Sequence, residues 1–397
     1  MPMLEDPIVI VGMSRTPMGS FQGDLAPASG PELGSTANKA ALARANVSAE
    51  DIQEVILGCV LPHGQRQGPA RIAAHLAGIP RDAGATTVNK LCGSGMKSTM
   101  LAHDLLASGS QDVMVAGGFE SMTNIPYMVP KAREGVRMGH GQFLDAMFWD
   151  GLEDAYEKDT LMGHFAEDTA QHFQFTREAQ DEFAIRSLNR AKKANEDGTF
   201  EGEMTPYTVK TRKGELEITR DEQPFTANID KIPSLRPAFR KDGTVTPANS
   251  SSISDGAAAL VLMRRSEAEK RGLNVLATIV AHTSHAQEPR WFTTAPVGAM
   301  QKLFDKTGWD KNEVGLYEIN EAFAVVPMAA MREFDLPADK VNVHGGACAL
   351  GHPVGASGAR IIAGLINSMH KYDVQKGVAA ICIGGGEATA IAIEKAA

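Results

Sequence analysis

Cysteine is scarce in this sequence, and its cysteines show neither a pairing nor a chelating pattern. The 397 residues include four cysteines, Cys59, Cys92, Cys348 and Cys382, and no two of them stand in CxxC spacing. Disulfide frameworks are typical of short secreted chains, and metal-binding cysteines come in closely spaced pairs. The sequence therefore predicts reduced thiols in a reducing compartment, and we expect the protein in the cytoplasm.

Long apolar runs and clusters of basic residues are also missing. No apolar run approaches the length that a bilayer-spanning helix needs. The net charge is -9, and lysines and arginines are scattered among acidic residues. A basic surface that follows a phosphate backbone is therefore not expected. We expect neither a membrane anchor nor a nucleic-acid partner.

Motifs for phosphates and metals are absent as well. The chain has neither a Walker-type nor a Rossmann-type glycine pattern, which argues against nucleotide chemistry. His282 and His285 lie close together in the sequence, but no third ligand follows at a useful spacing. We interpret residues 282–285 as a polar loop and expect no metal site.

The residues that are present follow an α/β rhythm in two parts of the chain. Short apolar stretches such as 8–11 and 113–116 end at glycine and alternate with helical patterns. This alternation predicts a layered α/β domain with a central sheet. From about residue 120 to 249 the rhythm stops, apart from an amphipathic helix predicted over 176–197 with Thr176 as its cap. We interpret this stretch as an insertion that covers a site.

A weak internal repeat links the two α/β parts. Val88-Asn89, a helix and a strand ending in Gly117-Gly118 correspond to Val341-Asn342, a helix and a strand ending in Gly384-Gly385. The elements follow in the same order in both parts. The repeat predicts two similar α/β halves with a site between them.

The most distinctive segment runs from Val88 to Ser98 and carries Cys92 where a strand meets a helix. Gly93 and Gly95 allow a sharp turn and the close approach of a ligand. The helix that begins there directs free N–H groups and its positive dipole end toward the thiol. Such surroundings lower the pKa of a thiol, so Cys92 is a candidate nucleophile. The alternative is a small buried hydrophobic residue.

Three further segments carry candidate catalytic groups. His352, between Gly351 and Pro353 in a glycine-rich loop, is a candidate general base or else a structural histidine bonded to backbone. Cys382 ends an apolar strand before three glycines, where exposed N–H groups can form an oxyanion hole; its alternative role is a core cysteine. Asn320 follows another strand, where it can orient a water, donate to a developing oxyanion or cap a helix.

Taken together, these four segments resemble the active-site motifs of the thiolase family, in the family's order and over essentially the whole chain. The resemblance implies an α/β fold of two similar mixed-sheet halves with an inserted loop domain. It divides the chain into an N-terminal α/β domain of residues 1–120 plus 250–270, a loop domain of residues 121–249 and a C-terminal α/β domain of residues 271–397.

Within the family, the chain resembles the acetoacetyl-CoA thiolases, which are acetyl-CoA acetyltransferases. The resemblance implies a reversible Claisen condensation of two acetyl-CoA molecules to acetoacetyl-CoA plus CoA. The reaction would follow a ping-pong mechanism through an acyl-cysteine. No cofactor is implied, because coenzyme A is a substrate and a product.

The resemblance also implies a role for each motif residue. Cys92 would form the acyl-enzyme, His352 would take its proton, and Cys382 would remove the α-proton of the second acetyl-CoA. Asn320, through a water, and His352 would stabilise the enolate oxygen, whereas the N–H groups of Cys92 and Gly384 would hold the thioester oxygen. The channel for pantetheine and the acyl group would be lined by Ser251, Leu152, Met162, Phe239 and Phe323.

The expected partners are acyl-CoA substrates and further copies of the chain. The segment Gly135-Val136-Arg137-Met138-Gly139 resembles part of the tetramerisation loop of the acetoacetyl-CoA thiolases. A homotetramer, as a dimer of dimers, is therefore expected.

Three segments depart from the family patterns. Leu161-Met162-Gly163 stands where many acetoacetyl-CoA thiolases have His-Met-Gly with a substrate-contacting histidine. Gly298 stands where potassium-activated members carry tyrosine, and Glu387 stands where glutamine or glycine is commoner.

Two alternative functions stay open. One is a degradative 3-ketoacyl-CoA thiolase of broader chain length in fatty-acid β-oxidation. The other is a non-catalytic binder of coenzyme A or lipid.

Overall fold

The structure is a computed structural model that describes residues 5–212 and 214–396. Its strands are β1 (Ile8–Arg15), β2 (Gly19–Ser20), β3 (Glu54–Gly58), β4 (Gly84–Val88), β5 (Val113–Ser121), β6 (Tyr127–Met128), β7 (Leu144–Asp145), β8 (Tyr207–Thr211), β9 (Gly214–Ile218), β10 (Ser254–Arg264), β11 (Ala277–Ala286), β12 (Leu316–Ile319), β13 (Lys376–Ile383) and β14 (Glu387–Lys395). Its helices are α1 (Gly30–Ala45), α2 (Pro69–Leu76), α3 (Ser94–Ala107), α4 (Met162–Phe173), α5 (Arg177–Glu196), α6 (Gln223–Thr226), α7 (Arg265–Lys270), α8 (Ala295–Thr307), α9 (Val325–Phe334), α10 (Ala347–Leu350) and α11 (Val354–Tyr372).

One mixed sheet runs through both α/β parts of the chain. Its strands lie in the order β4-β3-β5-β10-β1-β11-β14-β13-β12, and β2 pairs with β10. β3 is parallel to β4 and β5, and β12 is parallel to β13, whereas the other pairs are antiparallel. The central junction between β1 and β11 is short, with Val9 opposite Thr278 and Ile10 opposite Ala277.

The two halves have the same topology. In the first half the chain passes through β1, β3, β4, β5 and β10, and in the second through β11, β12, a bridge at Val341, β13 and β14. In each half the first and last strands pair antiparallel, and the second strand of each half lies parallel to the third and fourth. The repeat predicted from the sequence and the duplicated mixed α/β fold are confirmed.

Side-chain alternation along β1 separates two apolar layers. Val9 and Val11 face an outer cluster that also contains Leu33 and Ala41 of α1. Ile8 and Ile10 face an inner cluster built around α3 and α11, which also includes strand residues of the second half such as Ile391. Because side chains of a strand point alternately to opposite faces, one strand serves both layers. The helices α3 and α11 therefore lie between the two halves of the sheet.

Glycines bring the beginnings of α3 and α11 into backbone contact. A Cβ atom on Gly358 would lie 2.2 Å from the nitrogen of Met96, and one on Gly95 would lie 2.8 Å from the nitrogen of Ala359. A Cβ atom on Gly118 of β5 would lie 2.0 Å from the oxygen of Gly355. Real side chains do not fit at such distances, so this contact requires glycine.

The stretch between the two α/β parts contains α4, α5 and the β8–β9 hairpin. The predicted helix over 176–197 is confirmed as α5, and the Thr176 hydroxyl accepts a hydrogen bond from the Ala179 N–H group at 3.2 Å. Buried Arg15, at the end of β1, donates to Glu203 at 2.5 Å and to Asp221 at 2.7 and 3.0 Å. A planar guanidinium suits such bidentate pairing, and it fastens this stretch to the first strand.

The interpretation of residues 282–285 as a polar loop is wrong. These residues belong to β11, where His282 pairs with Ile391 of β14 and His285 pairs with Ala388. The alternation of polar side chains with small residues fits a strand with one face toward solvent. No helix in the described part of the chain is both long and apolar enough to cross a membrane.

The contact between α3 and α11 predicts that glycine-to-alanine substitutions at two positions of α11 have opposite effects on the free energy of unfolding. Gly358→Ala places a methyl group against the backbone of Met96, and we expect the free energy of unfolding to fall by about 3 kcal/mol. Gly364→Ala is the matched control, because the nearest atom to its Cβ, Glu203 Oε2, is 3.7 Å away. Alanine favours the helix there, by up to about 1 kcal/mol. Urea unfolding followed by circular dichroism measures both, and equal stability of the two variants would contradict the role of the contact.

Candidate active site

Cys92 lies in a tight turn between β4 and α3 that neighbouring side chains hold in place. Leu91 adopts a φ of 45°, and its N–H group donates to the side-chain oxygen of Asn89 at 2.9 Å. The Ser94 hydroxyl donates to the Leu91 oxygen at 2.6 Å and accepts from the Lys90 N–H group at 2.8 Å. These bonds fix the half-buried Cys92 just before the first turn of α3.

The expected lowering of the Cys92 pKa is wrong. Burial raises the pKa of the Cys92 thiol to about 11, although hydrogen bonds from the Gly384 N–H group and from its own N–H group act in the opposite direction. The helix dipole and the two donors do not outweigh the apolar surroundings. The thiol is therefore protonated at neutral pH and needs a base.

The end of β13 brings the second thiol to the first. Cys382 is fully buried, and burial together with the nearby Cys92 raises its pKa well above the ordinary value. The Gly384 N–H group contacts the Cys92 sulfur, and a Cβ atom on Gly93 would lie 2.3 Å from the Ile383 side chain. Two cysteines from opposite halves of the fold thus share one pocket beside backbone donors.

An ion pair joins the first motif to the last. The Lys90 ammonium group contacts the Glu387 carboxylate at the start of β14. Glu387 stands at the position where the sequence departs from the commoner family pattern. The departure therefore adds a contact between the two halves beside the pocket.

His352 is buried, and its hydrogen bonds define which ring nitrogen carries the proton. Ser357 Oγ donates to the Pro353 oxygen at 3.0 Å and lies 2.6 Å from His352 Nδ1. Since the hydroxyl proton is already used, Nδ1–H must donate to Ser357 and Nε2 carries the lone pair. His352 Nε2 is buried and has no hydrogen-bond partner among the described residues. Burial and the charge of Arg360 lower the pKa of His352 to about 3, so the ring is neutral at pH 7.

Asn320 presents a donor to the same region. Its side-chain oxygen accepts a hydrogen bond from Arg360 Nη2 at 3.3 Å, and Arg360 Nη1 lies 3.6 Å from Glu318 Oε2. This orients the amide, and within the described chain Asn320 Nδ2 has no partner either. We call His352 Nε2 and Asn320 Nδ2 the two open polar atoms. The alternative role of Asn320 as a helix cap is wrong, because α9 begins only at Val325.

Sequence reasoning missed three supporting residues. Glu120 is buried in the centre of the fold, where its carboxylate accepts from the N–H groups of Val60 at 2.9 Å and Gly355 at 2.9 Å. Burial raises the pKa of Glu120 to about 7. Ser357 and Arg360 orient His352 and Asn320. Glu120 and Arg360 carried a sequence signal, since each is a charged residue within a stretch of small and apolar ones.

Of the five residues expected in the channel, four lie in apolar clusters around the pocket. Met162 Sδ lies 3.6 Å from where a Cβ atom on Gly384 would be. The rings of Phe239 and Phe323 are 6.0 Å apart, in the same apolar cluster as Met162. Leu152, at the end of the π-helical turn Phe148–Leu152, packs in a cluster with Cys92 itself.

Ser251 is placed by the backbone. Its N–H group donates to the Ala322 oxygen at 2.9 Å, and the neighbouring Ser250 bridges Phe323. Ser251 is half-buried.

This arrangement suits acyl transfer through a thioester. One thiol lies beside backbone N–H groups that can hold a carbonyl oxygen as it gains negative charge. A neutral imidazole supplies a proton acceptor, an oriented amide supplies a donor, and a second thiol can exchange a further proton. The pocket therefore holds the groups needed both to form an acyl-cysteine and to stabilise an enolate.

Comparison with known proteins agrees with this chemistry. Residues 8–266 match the model of the thiolase N-terminal domain, and residues 273–395 match that of the thiolase C-terminal domain. An acetyl-CoA acetyltransferase of Pseudomonas aeruginosa is 45% identical over 98% of this chain and 99% of its own length. Acetyl-CoA acetyltransferase 2 of Arabidopsis thaliana is 47% identical over 98% of this chain and 96% of its own.

A solved structure agrees as well. The crystal structure of the Bacillus anthracis acetyl-CoA acetyltransferase superposes with a TM-score of 0.96 at 38% identity, covering 98% of this chain and 99% of that one. Both halves of the fold are thus accounted for by one family. The chain belongs to the thiolase family.

Proposed function

We propose that the protein is an acetyl-CoA acetyltransferase that condenses two acetyl-CoA molecules reversibly to acetoacetyl-CoA and CoA. The observation that carries the proposal is that Cys92 lies near Cys382 and accepts a hydrogen bond from the Gly384 N–H group, together with the two open polar atoms. Full-length relatives with this activity in their names support the same reaction. Acyl-CoA substrates follow from the same relatives.

In the first half-reaction, Cys92 takes the acetyl group. The sulfur attacks the thioester carbonyl while its proton passes to His352 Nε2, the open lone pair. The N–H groups of Cys92 and Gly384 hold the oxygen as it becomes negative. The C–S bond to CoA breaks, and Cys382, whose raised pKa keeps it protonated, gives its proton to the departing thiolate.

In the second half-reaction, the Cys382 thiolate left behind removes the α-proton of a second acetyl-CoA. The enolate oxygen is stabilised by His352, now protonated, and by Asn320 Nδ2 through a water. The new carbon–carbon bond forms at the acyl carbon, and the bond to Cys92 breaks. Cys92 recovers its proton from His352, so every group returns to its starting state.

The predicted domain division assigns the covering role to the loop domain of residues 121–249. We propose that it holds coenzyme A above the pocket, with Leu152, Met162 and Phe239 contacting the substrate. The same region exposes Tyr127, Phe143 and Met138, the last with 96% of its surface accessible. These side chains support the proposed homotetramer, in which other copies would cover them.

We propose the cytoplasm as the location of the protein.

The two half-reactions separate the roles of the two cysteines. After exposure to acetyl-CoA, we expect Cys92→Ala to carry no acetyl group, because the nucleophile is gone. We expect Cys382→Ala still to acquire some acetyl group on Cys92, more slowly because the acid for the departing thiolate is missing. It should lose condensation at least about a hundredfold, because the α-proton base is missing as well. Intact-protein mass spectrometry with peptide mapping and a coupled assay measure both steps. Cys348→Ala, at a buried cysteine outside the pocket, is the matched control. An acetyl group on Cys92→Ala, or equal loss of both steps in Cys382→Ala, would contradict these roles.

The raised pKa of Cys92 predicts the pH dependence of its alkylation. With a pKa near 11 the thiolate fraction is small at pH 7, and below the pKa it rises about tenfold for each pH unit. We therefore expect the rate of Cys92 alkylation by iodoacetamide, in free enzyme, to rise steadily from neutral pH to about pH 10. A rate that levels off near neutral pH would instead indicate a thiolate–imidazolium pair in the free enzyme.

The acyl chain length distinguishes the proposed activity from that of a degradative 3-ketoacyl-CoA thiolase. Met162 close to Gly384 and the Phe239–Phe323 pair narrow the acyl side of the pocket, which supports a short chain. In the cleavage direction we expect kcat/KM for acetoacetyl-CoA to exceed that for 3-ketoacyl-CoAs of six or more carbons by about tenfold. This factor is roughly the discrimination that a hydrophobic pocket achieves against one additional methylene group. Leu161 favours the alternative because it is apolar where many acetoacetyl-CoA thiolases have histidine. A preference for the longer substrates would establish that alternative.

A further inference from the structure

A cluster outside the active site brings together two imidazoles and a carboxylate. His103 and Asp104 lie in the third turn of α3, and His282 lies on β11 in the other half of the fold. Asp104 Oδ1 is 3.0 Å from His103 Nδ1 and 2.9 Å from His282 Nε2, and the two ring nitrogens are 3.3 Å apart. Three side-chain atoms from two elements therefore surround one point.

Hydrogen bonds can connect these three atoms, because Asp104 Oδ1 can accept from either ring and one ring nitrogen can accept from the other. The same three atoms can also act together as ligands, since a cation that replaces the ring protons accepts a lone pair from each. With metal–ligand distances of about 2.0–2.1 Å, tetrahedral coordination separates neighbouring ligand atoms by about 3.3 Å. The separation of the two nitrogens equals that value, and the two nitrogen–oxygen separations, 3.0 and 2.9 Å, are shorter than it.

The cluster is also held ready for a ligand. The two imidazole side chains are 12% exposed, whereas Asp104 is 56% exposed, so the rings are packed and one side of the cluster is open to solvent. The rings meet edge to face, with centroids 4.9 Å apart.

We propose that His103, Asp104 and His282 bind a divalent transition-metal ion of the zinc, cobalt or nickel class. Two imidazoles and one carboxylate suit these ions, whereas calcium and magnesium prefer sites made of oxygen alone. The remaining coordination positions face solvent and take water. The site is separate from the catalytic pocket, since His103 lies about 14 Å along α3 from the first residue of that helix.

The metal joins two elements that the active site depends on. Helix α3 begins beside Cys92, and β11 pairs with β1 and β14 at the junction of the two halves. An ion bound to both elements stabilises the folded state, by an amount that grows with the logarithm of the free ion concentration once that concentration exceeds Kd. The proposed role is therefore structural and holds whether or not the proposed reaction is correct.

Titration of the chelator-treated, full-length protein with Co²⁺ tests the site. We expect one ion per chain by calorimetry, with a visible spectrum of nitrogen and oxygen ligands and no thiolate charge-transfer band. His282→Gln and His103→Gln each remove one ligand and should weaken binding at least about tenfold. His285→Gln is the matched control on the same strand, because His285 bonds to Gln287 and lies outside the cluster. No binding, binding unaffected by either ligand variant, or a thiolate band that points to the active-site cysteines would overturn the proposal.

Thermal unfolding supplies a second readout. Co²⁺ should raise the midpoint of the wild-type protein and of His285→Gln, and it should raise the midpoint of His282→Gln by less, because that variant binds the ion more weakly. Condensation activity of His282→Gln without metal shows that this variant is folded; if the variant is not folded, His103→Gln is used instead. A metal-dependent shift of undiminished size in both ligand variants would place the ion elsewhere and refute the site.

Discussion

Backbone contact between the first turns of α3 and α11 is the constraint on which the site depends. Each helix belongs to one half of the duplicated fold, and a catalytic residue lies two positions before its first residue, Cys92 before α3 and His352 before α11. Side chains at Gly95 or Gly358 would separate the helices by the thickness of a methyl group. A shift of that size would move Cys92 and His352 too far apart to react. The glycines therefore affect catalysis by setting the distance between these two side chains.

The polar side chains of the pocket are uncharged, and neighbouring side chains orient them through hydrogen bonds. Ser357 fixes the tautomer of His352, and Arg360 fixes the amide of Asn320, so each presents one defined atom to the ligand. Burying such atoms costs stability unless a ligand satisfies them. The unpaired atoms of the pocket are therefore available to stabilise charge that appears only during the reaction. Because burial keeps Cys92 protonated, its thiol must transfer the proton to a base while the sulfur attacks the thioester.

Much of this could be predicted from the sequence, because the informative residues are local. Glycine within two residues of Cys92, His352 and Cys382 marks turns at the ends of strands and helices, and the repeat around Asn89 and Asn342 indicates two halves. The pKa of Cys92 could not be predicted, since it depends on apolar groups that arrive from distant segments. The neighbours of His282 could not be predicted either. Spacing along the chain suggested only His285 as a second ligand, whereas the structure places His103 and Asp104 beside His282, from a helix some 180 residues earlier.

The position of β1 in the sheet has a consequence for biosynthesis. β1 precedes the other described strands in the chain, yet its main neighbour is β10, so that Ile8 pairs with Arg264 and Arg15 pairs with Ala258. The covering stretch and the acidic partners of Arg15 lie between these two strands in the chain. During synthesis, β1 therefore remains without its main partner until β10 has been made. Pairing over such a distance along the chain slows folding and leaves strand edges open to aggregation, so we expect the chain to be most prone to aggregation before β10 is synthesised.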